Sequence, residues 1–267
     1  MTESTNNTTV VVTIDQRGVA TVTMNRPDKH NAFDDGVIAE LNNAFQTLRD
    51  NPHVRVMVLA ATGKSFSAGA DLGWMQRMAS YSYAENLRDA SALAAMLKQL
   101  NTLPFPTIAR VQGAAFGGAV GLVSCCDMAI ATARASFSLS EVKIGLIPAT
   151  ISPYIIAAIG QRASRRYFMT AERFSAETAL QLGLLSEIVG EEQLDATINT
   201  MISTLLANSP AAVSAAKQLV FDVENRVITD QLIADTSERI ARIRVSTEGQ
   251  EGLNAFLEKR PASWLVD

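Results

Sequence analysis

The chain has 267 residues, 48% of them hydrophobic and 19% charged, which predicts one large globular domain and excludes a disordered or fibrous chain. With 23 basic and 27 acidic residues the net charge is −4, so the chain lacks the basic field that drives nucleic-acid binding. No apolar run approaches the roughly 18 residues of a membrane-spanning helix, and two histidines with two adjacent cysteines fit neither a zinc site nor a disulfide framework.

The chain opens with a polar segment, and residues 1–9 are predicted to form a short disordered tail. This segment has neither the basic start nor the apolar stretch of a secretory signal, and it is not enriched in Arg and Ser as a transit peptide is. A cytoplasmic location is therefore the default expectation.

The first elements predicted along the chain are a hairpin, a helix and a buried strand. Alternating apolar and polar residues over 10–14 and 19–24 predict the hairpin. Apolar residues at helical spacing predict a helix that starts at one of two consecutive aspartates and runs to about Leu48. The mostly apolar run 54–60 predicts the strand.

Two segments rich in small residues each lead into a helix, at 62–70 and 112–119. Asp71 directly follows the first segment and should cap the next helix. Two backbone N–H groups converging from such loops could bind a developing oxyanion, aided by the positive end of a helix dipole. Close packing of neighbouring elements is the alternative role for these small residues.

Strands and helices alternate as far as about Val189, which indicates an α/β architecture with parallel pairing. From about Glu191 onward every segment is predicted to be helical. The predicted organisation is thus an α/β core over 10–190 followed by a C-terminal helical segment over 191–267. The intervening predictions are helices at 84–100 and 117–124, strands at 107–111 and 128–132, and two short helices over 152–169 that separate near Gly160.

Glu141 lies in a largely apolar stretch between a strand and a turn. Desolvation there would raise its pKa, which suits a general acid or base near neutral pH. The competing interpretation is a structural ion pair, for which Lys143 is the obvious partner.

Taken together, these segments resemble the crotonase (enoyl-CoA hydratase/isomerase) superfamily. The first loop reads FSAGADL and the second GAAFGGA, and NRP, NAF and CD motifs occupy the positions at which the family carries them. The resemblance covers nearly the whole chain. It implies a spiral of ββα units, an acyl-CoA thioester as substrate and no cofactor besides the coenzyme A that the substrate carries. It also implies that the helical C-terminus forms trimers, often paired into hexamers, although the apolar helices would equally suit a cap on the same subunit.

The resemblance carries specific roles to this chain. The N–H groups of Ala70 and Gly118 correspond to the oxyanion hole that holds the thioester carbonyl, and Glu141 corresponds to a catalytic carboxylate. The remaining matches are to coenzyme A contacts. Ala68, Asp71 and Leu72 match the adenine-binding part, Lys29 is a candidate phosphate contact, and Phe256 and Lys259 match residues that reach the coenzyme A of a neighbouring subunit.

The chain departs from the hydratase pattern at Gly121, where enzymes with two catalytic glutamates carry the first one. A single carboxylate suits a Δ3,Δ2-enoyl-CoA isomerase, which needs one base. Overall similarity instead favours hydratases of the 3-methylglutaconyl-CoA and γ-carboxygeranoyl-CoA type, as in leucine degradation. A third possibility is a non-catalytic subunit that binds coenzyme A. No metal, nicotinamide, flavin, nucleic acid or membrane partner is expected.

Overall fold

Nine strands and ten α-helices are found along residues 8–265, the part of the chain that the computed structural model describes. The strands are β1 (Val10–Ile14), β2 (Val19–Met24), β3 (Val56–Ala61), β4 (Thr107–Val111), β5 (Ala115–Phe116), β6 (Met128–Thr132), β7 (Ser136–Ser138), β8 (Phe174–Ser175) and β9 (Glu187–Val189). The helices are α1 (Asp35–Arg49), α2 (Leu72–Met78), α3 (Tyr83–Asn101), α4 (Gly118–Cys125), α5 (Ser152–Thr170), α6 (Ala176–Gln181), α7 (Leu194–Leu206), α8 (Pro210–Val223), α9 (Asp230–Val245) and α10 (Thr247–Glu258).

The strands form a large and a small sheet. The large sheet has the order β1-β2-β3-β4-β6-β9, with an antiparallel β1–β2 hairpin followed by parallel pairs only. In the small sheet, of order β5-β7-β8, β5 and β7 run parallel and β8 runs antiparallel to β7. Because β5 and β7 each follow a strand of the large sheet, the chain passes from one sheet to the other on each turn.

Successive turns of the chain therefore repeat a strand–strand–helix unit. One turn contains β4, β5 and α4, and the next contains β6, β7 and α5. An earlier turn contains β3, a single bridging residue, Ser67, that pairs with Ala115, and then α2. This is the spiral of ββα units that the family resemblance predicts.

A continuous apolar core fills the space between the large sheet and helices α1, α3, α4 and α5. A second, smaller cluster covers the opposite face of the sheet, where Leu194, Ile198 and Ile202 of α7 pack on valine and isoleucine side chains of the strands. Over residues 8–265 no helix is long and apolar enough to cross a membrane, and no cluster of three His, Cys, Asp or Glu side chains could hold a metal ion.

Most predicted elements agree with the structure to within a residue or two. The hairpin and the strands at 107–111 and 128–132 have the predicted bounds, and Gly160, with φ of 75°, interrupts α5 where the break was predicted. Residues 1–7 of the predicted tail lie outside the described residues. Strands β5 and β8 were not predicted, because a strand of two residues is too short to show an alternation of apolar and polar residues.

An ion pair attaches the C-terminal helices to the large sheet. Asp127 Oδ2 accepts hydrogen bonds from Lys217 Nζ at 2.7 Å and from the backbone N–H and hydroxyl of Thr107 at 2.8 and 2.9 Å. The Lys217 side chain is 10% exposed and Asp127 is 25% exposed. Asp127 thus holds both the start of β4 and the middle of α8.

Replacing Asp127 with Asn should lower the free energy of unfolding by about 2–3 kcal/mol, because it leaves the Lys217 ammonium mostly buried without a countercharge. Urea denaturation measures this change. Glu238→Gln is the matched control, since the ion pair of Glu238 with Arg242 on α9 is exposed and should contribute little. Equal small losses in both variants would contradict this role for Asp127.

Candidate active site

Three backbone segments meet where the two small-residue loops approach each other. The Ser67 N–H donates to the Ala114 carbonyl at 3.1 Å, and the Phe116 N–H donates to the Ser67 carbonyl at 3.0 Å. On the other side of the first loop, the Phe33 N–H donates to the Gly69 carbonyl at 2.9 Å, and the Asp71 N–H donates to the Phe33 carbonyl at 3.0 Å. The two loops are therefore hydrogen-bonded directly to each other, and the segment before α1 is hydrogen-bonded to the first loop.

The two predicted oxyanion donors are available for a ligand. Within residues 8–265 neither the Ala70 N–H nor the Gly118 N–H donates a hydrogen bond. Ala70 follows Gly69, whose φ of +90° suits glycine, and an added Cβ there would lie 2.8 Å from the Phe116 carbonyl oxygen. Gly118 is the first residue of α4, where backbone N–H groups lack partners within the helix.

Glu141 lies next to the second loop. The pairing of β5 with β7 brings the segment that ends in Glu141 alongside Phe116, and the Gly117 N–H donates to the Ser138 carbonyl at 2.8 Å. A Cβ added to Gly117 would lie 3.2 Å from Glu141 Oε1. The carboxylate is therefore in contact with the residue immediately before the Gly118 donor.

The predicted alternative for Glu141, an ion pair with Lys143, is wrong for this structure. Among the described residues Glu141 has no salt-bridge partner, Oε2 is buried without a hydrogen bond, and the Lys143 side chain is on the exposed part of the turn. Burial raises the pKa of the Glu141 carboxyl above its usual 4.5. A half-buried carboxylate with a raised pKa and a free oxygen beside two free N–H groups can accept and return a proton.

The space beside Gly121, where a second glutamate is expected in two-carboxylate hydratases, is filled. A Cβ at Gly121 would lie 2.3 Å from Ile151 Cγ2 and 2.8 Å from Ile151 Cβ, with Leu97 at 3.6 Å. A glutamate could enter there only if Ile151 moved. The packing of α4 against the residue that precedes α5 therefore leaves no room for a second carboxylate.

Asp71 serves as a structural anion at the start of α2. Its Oδ1 accepts the N–H groups of Gly73 at 2.8 Å and Trp74 at 3.2 Å, which caps the helix. Its Oδ2 accepts Lys29 Nζ at 3.1 Å and Arg26 Nη2 at 3.3 Å. Burial favours a higher pKa for this carboxyl, but the hydrogen bonds from Lys29 and the helix N–H groups outweigh it and lower the pKa below 3.8.

Arg26 connects the caps of two helices. Its Nη1 donates to Asp34 Oδ2 at 3.0 Å and to the Ala32 carbonyl at 3.1 Å, while Asp34 Oδ1 caps α1 by accepting the Val37 N–H. Together with its bond to Asp71, this holds the starts of α1 and α2 at a fixed separation.

The other predicted coenzyme A contacts are exposed in this chain. Ala68 and Leu72 lie on either side of Gly69 and Ala70 in the first loop, and Leu72 is 76% exposed. Lys29 is half exposed and paired with Asp71. Phe256, 81% exposed, and Lys259, which ends α10 with φ of 55°, lie in the C-terminal segment.

Sequence reasoning assigned no role to three residues that shape this site: Phe33, Arg26 and Ile151. The first two lie inside the NAF and NRP motifs, which marked their positions but not their contacts. Ile151 begins a segment, 151–154, that contributes to the family resemblance, but its contact with Gly121, 30 positions earlier, leaves no local signal in the sequence.

Comparisons with known proteins point to one family. The profile of the enoyl-CoA hydratase/isomerase family matches residues 15–266. Among solved structures, an enoyl-CoA hydratase from Shewanella pealeana is 50% identical with a TM-score of 0.94, and 97% of each chain is covered. An enoyl-CoA hydratase from Mycobacterium smegmatis is 35% identical with a TM-score of 0.90, covering 96% of this chain and 99% of the other. A crotonyl-CoA hydratase from Syntrophomonas wolfei is 28% identical, covering 92% of this chain and 94% of that protein.

The substitution Glu141→Gln should stabilise the fold near neutral pH. The folded-state pKa is raised, so ionising Glu141 disfavours folding once the pH exceeds the unfolded value, and the amide removes that cost. The difference in urea midpoint between variant and wild type should therefore be largest at pH 8 and shrink toward pH 4. A wild type that is more stable than the variant at pH 8 would contradict an unpaired, desolvated carboxylate.

Proposed function

The chain belongs to the enoyl-CoA hydratase/isomerase family of the crotonase superfamily, and from that premise we propose that it adds water to the double bond of a 2-enoyl-CoA. The observation that carries the proposal is the group of Glu141 Oε2, the Ala70 N–H and the Gly118 N–H, none of which has a hydrogen-bond partner among residues 8–265. These are the three groups that enolate chemistry at a thioester requires.

The two N–H groups bind the thioester carbonyl oxygen. As water oxygen bonds to C3 of the substrate, the electrons of the double bond move toward the carbonyl, and negative charge develops on its oxygen. The two donors stabilise that charge, and the loss of one such donor typically lowers the reaction rate by about 10²–10³-fold. Protonation at C2 then completes the 3-hydroxyacyl-CoA.

One carboxylate performs both proton transfers in this scheme. Glu141 in its ionised form accepts a proton from the attacking water and returns it to C2, so that the enzyme ends in its starting state. The raised pKa of Glu141 makes the protonated form accessible within this cycle. Ile151 closes the place of a second carboxylate, so water must be oriented by other groups.

The proposed substrate class is a 3-methylglutaconyl-CoA type of enoyl thioester, whose own distal carboxylate helps to orient the water. This hypothesis rests on overall similarity of the sequence and on the closed position beside Gly121. The matched substrate pair is 3-methylglutaconyl-CoA and 3-methylcrotonyl-CoA, which differ in that carboxylate. Equal kcat/KM for the two would reject the assisting role.

A second candidate is the Δ3,Δ2-enoyl-CoA isomerase reaction. It is favoured by the single carboxylate, because one base can remove a proton from C2 and return it to C4. A non-catalytic role in coenzyme A binding is the third candidate. The free oxygen of Glu141 and the two free donors argue against that role, since a purely structural glutamate is usually paired when buried.

We also propose that the C-terminal segment joins copies of this chain into a trimer or a dimer of trimers. Large apolar side chains remain exposed on this segment, far more than a monomer normally presents to water. They include Val227, Ile228, Val245, Phe256 and Leu257, which are 74–81% exposed. In this arrangement Phe256 and Lys259 reach the coenzyme A bound to a neighbouring copy.

The activity is tested by the ultraviolet absorbance of the conjugated thioester with crotonyl-CoA, 3-methylglutaconyl-CoA and a 3-enoyl-CoA. We expect loss of absorbance on 3-methylglutaconyl-CoA, and a decrease in kcat of about 10²–10⁴ in Glu141→Gln with coenzyme A binding retained. The control is Glu177→Gln, an exposed glutamate on α6. A gain of absorbance on the 3-enoyl substrate alone would identify an isomerase, and no change on any substrate would contradict both enzymatic proposals.

The subunit arrangement is tested by sedimentation equilibrium and by Lys259→Asn, which removes the charge while keeping a residue that tolerates a left-handed backbone. We expect the wild type to be a trimer or a hexamer. Lys259→Asn should raise the KM for acyl-CoA about 3- to 10-fold, because it removes one exposed phosphate contact of about 1 kcal/mol. A monomer with unchanged KM would rule the arrangement out.

A further inference from the structure

The oxyanion hole proposed above requires two N–H groups from different loops to stay at a fixed distance. Resting on that proposed function, we infer that Phe33 is the positioning residue for this pair, because its backbone orients one donor while its ring contacts the residue that carries the other. Phe33 lies between the Ala32 and Asp34 that Arg26 holds, and it is 2% exposed.

The backbone of Phe33 fixes the direction of the Ala70 N–H. Phe33 pairs with Ala70 as a parallel bridge, in which Phe33 bonds to the carbonyl of Gly69 and to the N–H of Asp71. In parallel pairing, the residue between Gly69 and Asp71 points its own N–H to the side of the strand that faces away from Phe33. The Ala70 N–H therefore points away from Phe33 and is left free for a ligand.

The ring of Phe33 fixes the position of Gly118. A Cβ built on Gly118 would lie 2.6 Å from Cζ and 3.1 Å from Cε2 of Phe33, so the ring is packed directly against the Cα of Gly118. This contact explains why residue 118 must be glycine. It also places one rigid, buried side chain between the two loops, close to both donors.

The remaining link between the loops is farther from the donors. The bridge joins Ser67 to Ala115, and each of these residues lies three positions before its donor. Without the ring, Ala70 and Gly118 would be held relative to each other by these three-residue arms and by the packing of Gly69 on the Phe116 carbonyl, neither of which contacts Gly118 itself. A cavity in place of the ring would let the first turn of α4 shift, and a displacement well below 1 Å weakens hydrogen bonds to a developing oxyanion.

The test compares Phe33→Leu with Phe45→Leu, since Phe45 is an equally buried phenylalanine on α1 away from the loops. Both variants should lose similar stability in urea. We expect Phe33→Leu to lower kcat about 10- to 100-fold, which is less than the rate loss on removing one oxyanion donor completely. The KM should change less than threefold. Phe33→Leu should also reduce the infrared shift of the thioester carbonyl of bound crotonyl-CoA, whereas Phe45→Leu should leave the shift and kcat unchanged.

A double-mutant cycle with Gly118→Ala tests the contact itself. Alone, Gly118→Ala places a methyl group against the ring and should lower kcat. Combined with Phe33→Leu, which removes the obstructing ring atoms, it should recover at least threefold over Gly118→Ala alone.

Simple multiplication of the two single effects, or a parallel fall in kcat for Phe33→Leu and Phe45→Leu, would overturn the inference. If the wild type turns over no enoyl-CoA, the proposed function fails, while the carbonyl shift still tests Phe33 because it needs binding only. A wild type that binds crotonyl-CoA without any carbonyl shift would overturn the inference as well.

Discussion

The site depends on two short parallel bridges, Phe33 to Ala70 and Ser67 to Ala115, which join three segments that are far apart in sequence. In the first bridge Phe33 bonds to both neighbours of Ala70, which leaves the Ala70 N–H without a partner among residues 8–265. Ala70 and Gly118 are both only partly buried, so their N–H groups remain open to a ligand, as the proposed oxyanion hole requires.

The proposed acid–base group, Glu141, owes its character to burial rather than to a charged partner. Glu141 has its pKa raised by desolvation, and its free oxygen has no donor within the described residues. By contrast, the carboxylates of Asp71 and Asp127 are held by cations and N–H groups. Two kinds of carboxylate thus occur in one fold, and their partners distinguish the structural ones from the one available for chemistry.

The packing around the proposed oxyanion hole also limits the chemistry that the site can perform. Ile151 fills the space beside Gly121, as the ring of Phe33 fills the space beside Gly118. One apolar contact positions a donor and the other excludes a second carboxylate. In the proposed mechanism, Ile151 thus limits the site to one carboxylate, that of Glu141.

The sequence by itself determined the long elements and the family, because periodic apolar residues and contiguous motifs are local signals. The hairpin, the strands at 107–111 and 128–132, the break at Gly160 and the final helices follow from such patterns. Only the tertiary structure decided that Glu141 is unpaired rather than bound to Lys143, that Ile151 closes the place of a second carboxylate and that Phe33 touches both donor segments. These depend on contacts between distant residues, and no local period or motif encodes the distance between two side chains that meet only after the chain has folded.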